Sequence, residues 1–459
     1  MAVVDKRKSS IGFTRQKTYF AILDILVAVQ ADKKYPDVLL GGLFKEGNFS
    51  SPEKARIVEF VYGILRHRGK IDYVIANASN ARISELDINI TSIIRICTYQ
   101  ALFTDSTPAG ILSNATALCP NGNKFAGFVK RTVEAVLRNK GNVIFPDKEK
   151  SRVDYISVYH SHPSWIVKKW LAEFQEPGEV EELCRANNLD PPLTIRSNPL
   201  KTDPFDLQNS LKDEGYPSST TAFSPFGLVV NKKENIFKTE AFRNGLFEVQ
   251  DEGSQLITLL AGAKPGEFVI DACAGNGGKS LFLAGLMKNH GTIVAFETHA
   301  SKLANLRRRA GRAGATNIQT AGVDELQQYN GKADCVFIDA PCSGMGVFRR
   351  NPDSKWRLAA DDIKELAAKQ KEILMEYSRL VKPGGRLVYA TCTISREENE
   401  DIVREFLIEN RGFSQVPVSG INTDLFGKFT IRDGFFRSLP HIHNTDGFFA
   451  AVMRCIGSD

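Results

Sequence analysis

The second half of the chain alternates short apolar runs with longer amphipathic segments, and this alternation limits the folds that the chain can adopt. Apolar runs of strand length recur from about residue 245 onward, and each leads into a turn or a segment with helical periodicity. The strand candidates are GEFVIDACAG, TIVAFET, ADCVFIDAPCSG and RLVYATCT. Such alternation predicts an α/β domain with a doubly wound parallel sheet. Ligands of these sheets lie beyond the carboxyl ends of the strands, which is where the motifs of this chain fall.

The first third of the chain differs in pattern and in charge. Segments such as KARIVEFVYGILRHRG and KFAGFVKRTVEAVLRN place apolar residues at helical spacing, which predicts an all-α domain over residues 1–145. Residues 1–150 hold 22 Lys and Arg against 14 Asp and Glu, although the whole chain has a net charge of only +6. This surplus indicates a polyanionic partner, most simply nucleic acid. A small α+β module over residues 146–240 is predicted to lead into the α/β domain at 241–459.

The segment DACAGNGGKS, at the end of the first strand candidate, looks like a phosphate-binding loop but has the wrong spacing. A P-loop needs a glycine five residues before Gly278, where this chain has Cys273. The dinucleotide pattern G-x-G-x-x-G fails as well, because Ser280 stands at its last glycine position. Glu297 ends the next strand about 26 residues after Asp271 and suits the two hydroxyls of a ribose. Together these residues predict S-adenosylmethionine as ligand; the alternative is a glycine turn that only permits tight helix–sheet packing.

Two cysteines follow two of the strand candidates, in Asp339-Ala-Pro-Cys342 and in Thr391-Cys392-Thr393. A single cysteine at a strand end is usually structural. A pair at two strand ends of one sheet, with Asp339 three residues before one of them, instead indicates a chemical role. The eight cysteines contain no C-x-x-C pair, and the two His-x-His pairs lack accompanying carboxylates or cysteines, so we predict no metal site.

These motifs in this order resemble the RNA cytosine-5 methyltransferases of the NOL1/NOP2/Sun family. The resemblance rests on the Gly-Gly-Lys turn, DAPCSG and YATCT followed by EEN, and extends to LFEVQDEGSQL, SHPSWIVKKW and RSLPHIHNTDGFFAAVMR. The helical front resembles a NusB-like RNA-binding domain, a combination similar to bacterial 16S ribosomal RNA methyltransferases of the Sun or Fmu type. The resemblance implies a Rossmann-like class I methyltransferase domain behind the α+β module and the NusB-like domain. It also implies methyl transfer from S-adenosylmethionine to C5 of a cytosine in 16S rRNA.

The resemblance further implies a role for individual residues. Cys392 is the nucleophile that adds to C6 of the cytosine, Cys342 assists release of the methylated RNA, and Asp339 bonds the edge of the base close to the transferred methyl group. Glu297 is assigned to the cofactor ribose and Asp324 to the adenine amino group. The loop assigned to the methionine end of the cofactor consists of Cys273, Ala274, Gly275, Asn276, Gly277, Gly278 and Lys279.

This chain departs from the family pattern at three places near the cofactor. Gly275 and Asn276 replace a common Ala-Pro pair, and Glu297 stands where Asp is usual. Val323 directly follows Gly322 where an acid is expected, which is why Asp324 is assigned to the adenine. Because Asn tolerates tight turns, we expect the loop to keep its shape.

A cytosine must leave its helix to be methylated at C5, so the protein needs contacts that hold the displaced strand. The basic segment VFRRNPDSKWR directly follows the DAPCSG motif and predicts such contacts. The candidate RNA-binding residues are Arg349, Arg350, Lys355 and Trp356. The alternative is a polar loop with Trp356 packed inward.

The sequence also predicts the setting in which the protein works. No apolar stretch reaches the roughly 18 residues that span a membrane, and the N-terminus lacks the apolar core of a signal peptide, so we expect a cytoplasmic protein without membrane contact. We expect a monomer that acts on naked 16S rRNA or on an early small-subunit particle. The same chemistry on transfer RNA or large-subunit rRNA, and a non-catalytic RNA-binding assembly factor, remain alternatives. A nucleotide hydrolase is disfavoured by the loop spacing.

Overall fold

The structure, a computed structural model, divides the chain into two compact units. It describes residues 2–79, 83–119, 122–174, 176–232 and 235–457, with side chains from residue 16 onward apart from residue 84. Unit 1 comprises Met1–Leu189 and Phe348–Arg357, and unit 2 comprises Asp190–Val347 and Leu358–Asp459. The segment Phe348–Arg357, here called the strap, therefore belongs to unit 1 although its neighbours in sequence on both sides belong to unit 2.

Unit 1 is built from helices, as the spacing of its apolar residues predicts. Helix α5 (Ile88–Phe103) is its centre, since every residue from Ile90 to Ala101 is buried. The side chain of Asp87 caps this helix by accepting hydrogen bonds from two backbone amides of its first turn. The helices of unit 1 are α1 (Ala2–Ala31), α2 (Pro36–Glu46), α3 (Ser51–Arg66), α4 (Arg68–Ser79), α5 (Ile88–Phe103), α6 (Pro108–Leu118), α7 (Ala126–Asn139), α8 (Arg152–Tyr159), α9 (Ser164–Glu173), α10 (Pro177–Asn187) and, in the strap, α16 (Ser354–Arg357).

Unit 2 begins with a small antiparallel sheet of four strands, β1 (Leu193–Ser197), β2 (Ser218–Thr220), β3 (Gly227–Val230) and β4 (Phe247–Val249). Their order in the sheet is β2-β3-β1-β4. Its apolar core contains Ile195, Leu207, Leu228 and Phe247, all fully buried. The elements of this part are β1 (Leu193–Ser197), α11 (Pro204–Asp213), β2 (Ser218–Thr220), β3 (Gly227–Val230), α12 (Glu240–Arg243) and β4 (Phe247–Val249).

The rest of unit 2 forms a large sheet covered by helices. Its strands are β5 (Phe268–Asp271), β6 (Thr292–Phe296), β7 (Ile318–Ala321), β8 (Ala333–Asp339), β9 (Val381–Thr391), β10 (Phe413–Val416), β11 (Phe436–Ser438) and β12 (Phe448–Cys455). Its helices are α13 (Glu252–Leu259), α14 (Gly278–Leu286), α15 (Ala300–Ala313), α17 (Ala360–Ser378), α18 (Glu400–Glu409), α19 (Thr423–Phe426) and α20 (Pro440–His443).

The predicted doubly wound arrangement is confirmed for the strands in the order β9-β8-β5-β6-β7, which pair in parallel. Antiparallel β12 extends the sheet beyond β9 and pairs with both β10 and β11, so the complete sheet is mixed. Strands β5, β6 and β7 follow one another in one direction, whereas β8 lies on the other side of β5. The winding therefore reverses between β5 and β8, the position at which such sheets bind ligands.

The strands of this sheet are buried on both faces because apolar side chains alternate between two cores. Val269 and Phe337 belong to the core on one face, whereas Ile270 and Val336 belong to the core on the other. Polar side chains are therefore concentrated in the turns that follow the strands. The segment DDIKELAAKQKEILMEYSRLVKPGG is predicted from the sequence to be one long helix, but the helix in the structure is shorter. Helix α17 ends at Ser378, and Pro383 lies inside β9, because proline cannot continue a helix.

Candidate active site

The side chains of Cys342 and Cys392 meet beyond the carboxyl ends of β8 and β9. These strands are parallel neighbours with Asp339 opposite Ala390, so the residues that follow them leave the sheet side by side. The two sulfur atoms lie 3.3 Å apart, and both side chains are half-buried. The structure thus brings together the two cysteines that the sequence singles out, 50 positions apart in the chain.

The two thiols are not electrostatically equivalent. The pKa of Cys342 is raised well above the usual thiol value by its hydrogen bond to Cys392, by burial and by the negative charges of Cys392 and Glu398. The raised pKa keeps the Cys342 thiol protonated, and either sulfur can be the donor in the hydrogen bond between the two cysteines. Donation from one thiol to the other sulfur stabilises a thiolate there, and the thiolate is the nucleophilic form of cysteine.

Glu398 connects the turns that carry Cys342 and Cys392, a role that is not predicted from the sequence. Its fully buried carboxylate accepts hydrogen bonds from the Ser343 backbone amide (2.8 Å), the Ser343 hydroxyl (2.5 Å) and the Thr393 hydroxyl (3.1 Å). Gln370 of α17 donates to the same carboxylate at 3.0 Å. Ser343 directly follows Cys342 and Thr393 directly follows Cys392, so one carboxylate fixes both turns. The signal that could have revealed this role is the EEN sequence soon after Cys392.

Lys279 and Asp339 form an ion pair near the switch point of the sheet. Lys279 Nζ lies 2.5 Å from Asp339 Oδ2, and the two side chains are 15% and 27% exposed. Burial opposes the charge of the lysine, yet its pKa is raised because the Asp339 carboxylate lies beside the ammonium and Cys392 and Asp271 add negative charge. Lys279 is thus held as a cation that orients the Asp339 carboxylate.

Asp271, the last residue of β5, is fully buried beside this ion pair. Ser280 Oγ donates to Asp271 Oδ2 at 2.6 Å, which ties the strand end to the first turn of α14. Burial raises the pKa of Asp271 to about 6. The negative charge of Asp339 contributes to this increase, whereas the hydrogen bond from Ser280 acts in the opposite direction. No functional role is predicted for Asp271 from the sequence.

The glycine-rich loop between β5 and α14 depends on two left-handed residues. Gly277 has φ +82°, and a Cβ there would lie 2.5 Å from Leu306 Cγ of α15, so only glycine fits. Gly275 has φ +54°, and a Cβ at Gly275 would meet no atom within 4 Å. The backbone at Gly275 therefore borders open space that a ligand can approach, and Cys273, Ala274, Asn276 and Gly278 share this loop.

Two arginines support the loop from behind. Arg196 of β1 is buried, and its Nη1 donates to the carbonyl of Gly278 at 3.0 Å. Arg309 of α15 donates to the carbonyl of Asn276 at 2.7 Å and to the Glu248 carboxylate at 2.8 Å. These contacts were not predicted, because they join segments far apart in sequence.

The two acids assigned to the nucleoside part of the cofactor differ in their surroundings. The Glu297 side chain, at the end of β6, is 8% exposed, and its carboxylate accepts hydrogen bonds from the backbone amide of His299 (2.9 Å) and from Lys302 Nζ (3.3 Å). Burial works against ionisation, yet contacts with His299 and Lys302 lower the pKa of Glu297 to about 2. Asp324 lies exposed in the helical turn Val323–Tyr329 after β7. Both acids thus follow neighbouring parallel strands.

The strap uses its charged residues inside unit 1. Lys355 is fully buried, and its Nζ donates to the carbonyl of Arg66 at 2.9 Å and to Asn188 Oδ1 at 3.2 Å. Arg349 is 2% exposed. This burial contradicts the prediction that Lys355 and Arg349 contact RNA, since neither charged group is available to a phosphate. The physical reason is that the strap packs against α3 and satisfies backbone carbonyls there.

Trp356 and Arg350 are both half-buried. Trp356 Nε1 donates to the carbonyl of Leu65 at 2.6 Å, so one edge of the ring is fixed inward. The Arg68 guanidinium lies 5.4 Å from the centre of the Trp356 ring. RNA contact by these two residues stays a prediction.

The described residues contain no group of three or more His, Cys, Asp or Glu side chains that could hold a metal ion. Within the same part of the chain, no helix combines the length and apolar character needed to cross a membrane.

Three family models match the chain in the order of its predicted parts. The NusB family model matches residues 18–141, and a ferredoxin-like domain model of RsmF/B-like methyltransferases matches residues 162–236. The model described as 16S rRNA methyltransferase RsmB/F matches residues 257–454, which include both cysteines and the glycine-rich loop.

Individual relatives extend over most of the chain. The probable ribosomal RNA small subunit methyltransferase B of Bacillus subtilis (strain 168) is 32% identical over 441 residues, covering 94% of this chain and 97% of that protein. The 28S rRNA (cytosine-C(5))-methyltransferase of Mus musculus is 33% identical over 330 residues, covering 67% of this chain and 41% of that protein. The crystal structure of PH0851 superposes with a TM-score of 0.78 at 27% identity, covering 94% of this chain and 98% of that one. The predicted fold class, a Rossmann-like methyltransferase domain behind an α+β module and an all-α NusB-like domain, is confirmed.

Proposed function

The chain belongs to the 16S rRNA methyltransferase RsmB/F family, and on this premise we propose that it methylates C5 of a cytosine in 16S rRNA through a covalent adduct to Cys392. The protein is a methyltransferase, and its predicted cofactor is confirmed as S-adenosylmethionine. When bound, this cofactor supplies a methyl group on a positively charged sulfur. The name of the mouse relative supports cytosine C5 as the acceptor atom.

The observation that carries the proposal is the 3.3 Å approach of the Cys342 and Cys392 sulfur atoms. C5 of cytosine belongs to an aromatic ring and is a weak nucleophile. A thiolate that adds to C6 removes this aromaticity and makes C5 react like an enamine carbon. The raised pKa of Cys342 keeps that thiol protonated, which supports Cys342 as the partner and Cys392 as the nucleophile.

The proposed steps conserve atoms and charge. The Cys392 thiolate forms the bond to C6, and the displaced electron pair makes C5 the nucleophile that would take the methyl group supplied by the bound cofactor. A base then takes the C5 proton, the C5–C6 double bond re-forms, and the bond from C6 to Cys392 breaks with its electrons returning to sulfur. We assign Cys342 to this release step because it lies beside the breaking bond.

We assign Asp339 to the edge of the cytosine, close to the transferred methyl group. Asp339 ends β8 three residues before Cys342, and its carboxylate is oriented by Lys279 at 2.5 Å. An oriented carboxyl group can exchange hydrogen bonds with the N3 and amino edge of the base and stabilise the adduct.

The residues at the ends of β5 and β6 fit the cofactor. Open space beside Gly275 allows close approach of a ligand to backbone, and the ionised Glu297 carboxylate can accept hydrogen bonds from ribose hydroxyls. We assign Asp324 to the adenine amino group. The residues proposed for the methionine end are Cys273, Ala274, Gly275, Asn276, Gly277, Gly278 and Lys279.

We further propose that residues 1–145, 146–240 and 241–459 act as RNA-binding, connecting and catalytic domains. The substrate is naked 16S rRNA or an early small-subunit particle, and the protein acts as a monomer in the bacterial cytoplasm, where that RNA is found.

The proposal is tested by tritium transfer from methyl-labelled S-adenosylmethionine to naked 16S rRNA, followed by nucleoside analysis. We expect the label in 5-methylcytidine. Large-subunit rRNA and transfer RNA serve as parallel substrates in the same assay. Preferential label on either of them overturns the assignment of 16S rRNA, and cofactor binding without label on any RNA overturns the enzymatic function in favour of an RNA-binding assembly factor.

A further inference from the structure

Unit 1 contains a cavity of about 290 Å³ between α1, α3, α5 and the strap. One wall is apolar and is formed by Leu26, Val29, Ile64 and Leu65. The ring of Trp356 also lines the cavity. Its polar lining residues are Gln30, Lys33, Arg68, Ser92, Arg95, Asp353 and Arg357. A volume near the lower end of the roughly 300–1,000 Å³ range of ligand pockets suits a group of about one nucleotide.

The cavity holds more positive charge than its neighbours neutralise. Arg357 pairs with Asp353 at 2.5 Å, and Arg95 forms a bidentate pair with Asp72 at 2.7 and 2.8 Å. Arg68 must share the same Asp72 carboxylate and approaches it only to 3.7 Å. Two guanidinium groups therefore compete for one carboxylate, and the Arg68 side chain remains 29% exposed.

Electrostatics within the cavity favour the arrival of an anion. The pKa of Arg68 is lowered by burial and by the nearby charge of Arg95. Lys33, on the rim, is exposed and adds a further positive charge. A negatively charged group bound here would relieve the repulsion between these cations.

A second observation points to a ligand independently of charge. Ser92 is 1% exposed and lines the cavity, and among the described residues no atom forms a hydrogen bond with its Oγ. A buried hydroxyl without a partner costs free energy, so a polar group of a ligand would be stabilised there. The cavity thus combines a cationic rim, an aromatic ring, an apolar wall and an unpaired hydroxyl.

We propose that this cavity binds one unstacked nucleotide of the RNA substrate, with its phosphate at Arg68 and Lys33 and its base against Trp356 and the apolar wall. The inference rests on the proposed function for the identity of the RNA. Aromatic rings and arginines that hold single unstacked bases are a general mode of RNA recognition. An acidic peptide would satisfy the cations, but its carboxylate side chains would leave the Trp356 ring and the apolar lining residues without a matching group.

The test is the binding of a fluorescein-labelled single-stranded RNA of about ten nucleotides to the full-length protein, followed by fluorescence anisotropy. Arg68→Gln is expected to weaken binding at least about fivefold and to reduce the salt dependence by about 0.7 in logarithmic slope, the value for one lost phosphate contact on a single strand. Lys33→Asn, which suits the left-handed backbone at φ +51°, is expected to weaken binding by a smaller factor. Arg56→Gln, at an exposed arginine of α3 that does not line the cavity, is the matched control and is expected to stay within about twofold of wild type.

Equal binding by Arg68→Gln, Lys33→Asn and Arg56→Gln overturns the inference. The surface variant Lys33→Asn keeps the test valid should Arg68→Gln fail to fold. Methyl transfer to 16S rRNA by the wild-type protein is measured in parallel. Normal methylation with equal binding by all variants overturns the cavity alone, whereas absent methylation overturns the proposed function and leaves the binding result to decide on the cavity.

Discussion

Cys342, in the turn after β8, and Phe348, the first residue of the strap, are separated by only five residues of sequence, yet the turn and the strap use polar side chains in opposite ways. At the ends of β8 and β9, buried Glu398 accepts hydrogen bonds from the Ser343 and Thr393 hydroxyls, one in each turn, and from the Ser343 amide, while the two cysteine side chains stay half-buried. In the strap, Lys355 turns inward and donates to carbonyl and amide oxygens of unit 1.

The difference shows what fixes the direction of a side chain. A parallel sheet sets where each strand ends, so residues in the following turns reach the ligand edge whatever their chemistry. The side chains of a connecting segment are not directed by a sheet in this way. Its lysines and arginines can instead turn inward and donate to buried acceptors that lack a partner. Motifs at strand ends are therefore better guides to function than the charge of a loop.

The largest effect is expected from Cys392→Ala, which removes the proposed nucleophile from the turn after β9. Turnover should fall by more than about 10³-fold, because the step that activates C5 is lost. Binding of S-adenosylmethionine, measured by calorimetry, should change less than about threefold, since the cofactor loop is untouched. Cys455→Ala, at another half-buried cysteine, is the control and should retain turnover. Substantial methylation by Cys392→Ala would contradict the assigned role.

A smaller effect is expected from Glu398→Gln, which keeps the shape of the side chain but removes its charge. Charge-assisted hydrogen bonds contribute about 1.5–3 kcal/mol, so loss of alignment of the two turns should lower kcat by about 10- to 100-fold. The matched control is Glu397→Gln, at the exposed neighbour. Equal kcat values for the two variants would mean that Glu398 does not position the cysteines.

The smallest effect on turnover is expected from Lys355→Met in the strap, whose consequence is a change of stability with pH. Burial lowers the pKa of Lys355 to about 7, and the positive charge of Arg66 adds to the shift. The pKa of Lys355 is lower in the folded chain than in the unfolded chain. The destabilisation caused by burying its positive charge is therefore present in full at pH values below 7. This cost is lost as the pH rises toward the unfolded value of about 10.4, and amounts to roughly 5 kcal/mol at most.

Thermal unfolding at pH 7 and at pH 9.5 checks this expectation. The wild type should gain stability relative to Lys355→Met between the two pH values. Lys130→Met, at an exposed lysine of α7, should follow the wild type. Parallel pH profiles for all three proteins would show that Lys355 is not a buried cation in solution.

The same contrast explains how much the sequence could predict. Alternating strands and helices predicted the doubly wound sheet, and the positions of Asp339, Cys342 and Cys392 at strand ends predicted that they would lie together. The pairing of Lys279 with Asp339 could not be predicted, because it depends on β8 lying next to β5 rather than after β7. The burial of Lys355 was missed for a different reason. Its acceptors, Arg66 and Asn188, are far away in sequence, and only the packed unit shows that they need a donor.

The most direct test of the central claim, that Cys392 attacks while Cys342 acts in release, uses Cys342→Ala. This variant is incubated with S-adenosylmethionine and 16S rRNA, and the products are separated on a denaturing gel. We predict a slowly migrating protein–RNA adduct with Cys342→Ala that disappears when Cys392→Ala is added to the same chain. Normal turnover by Cys342→Ala without an adduct, or an adduct that persists in the double variant, would contradict this division of roles.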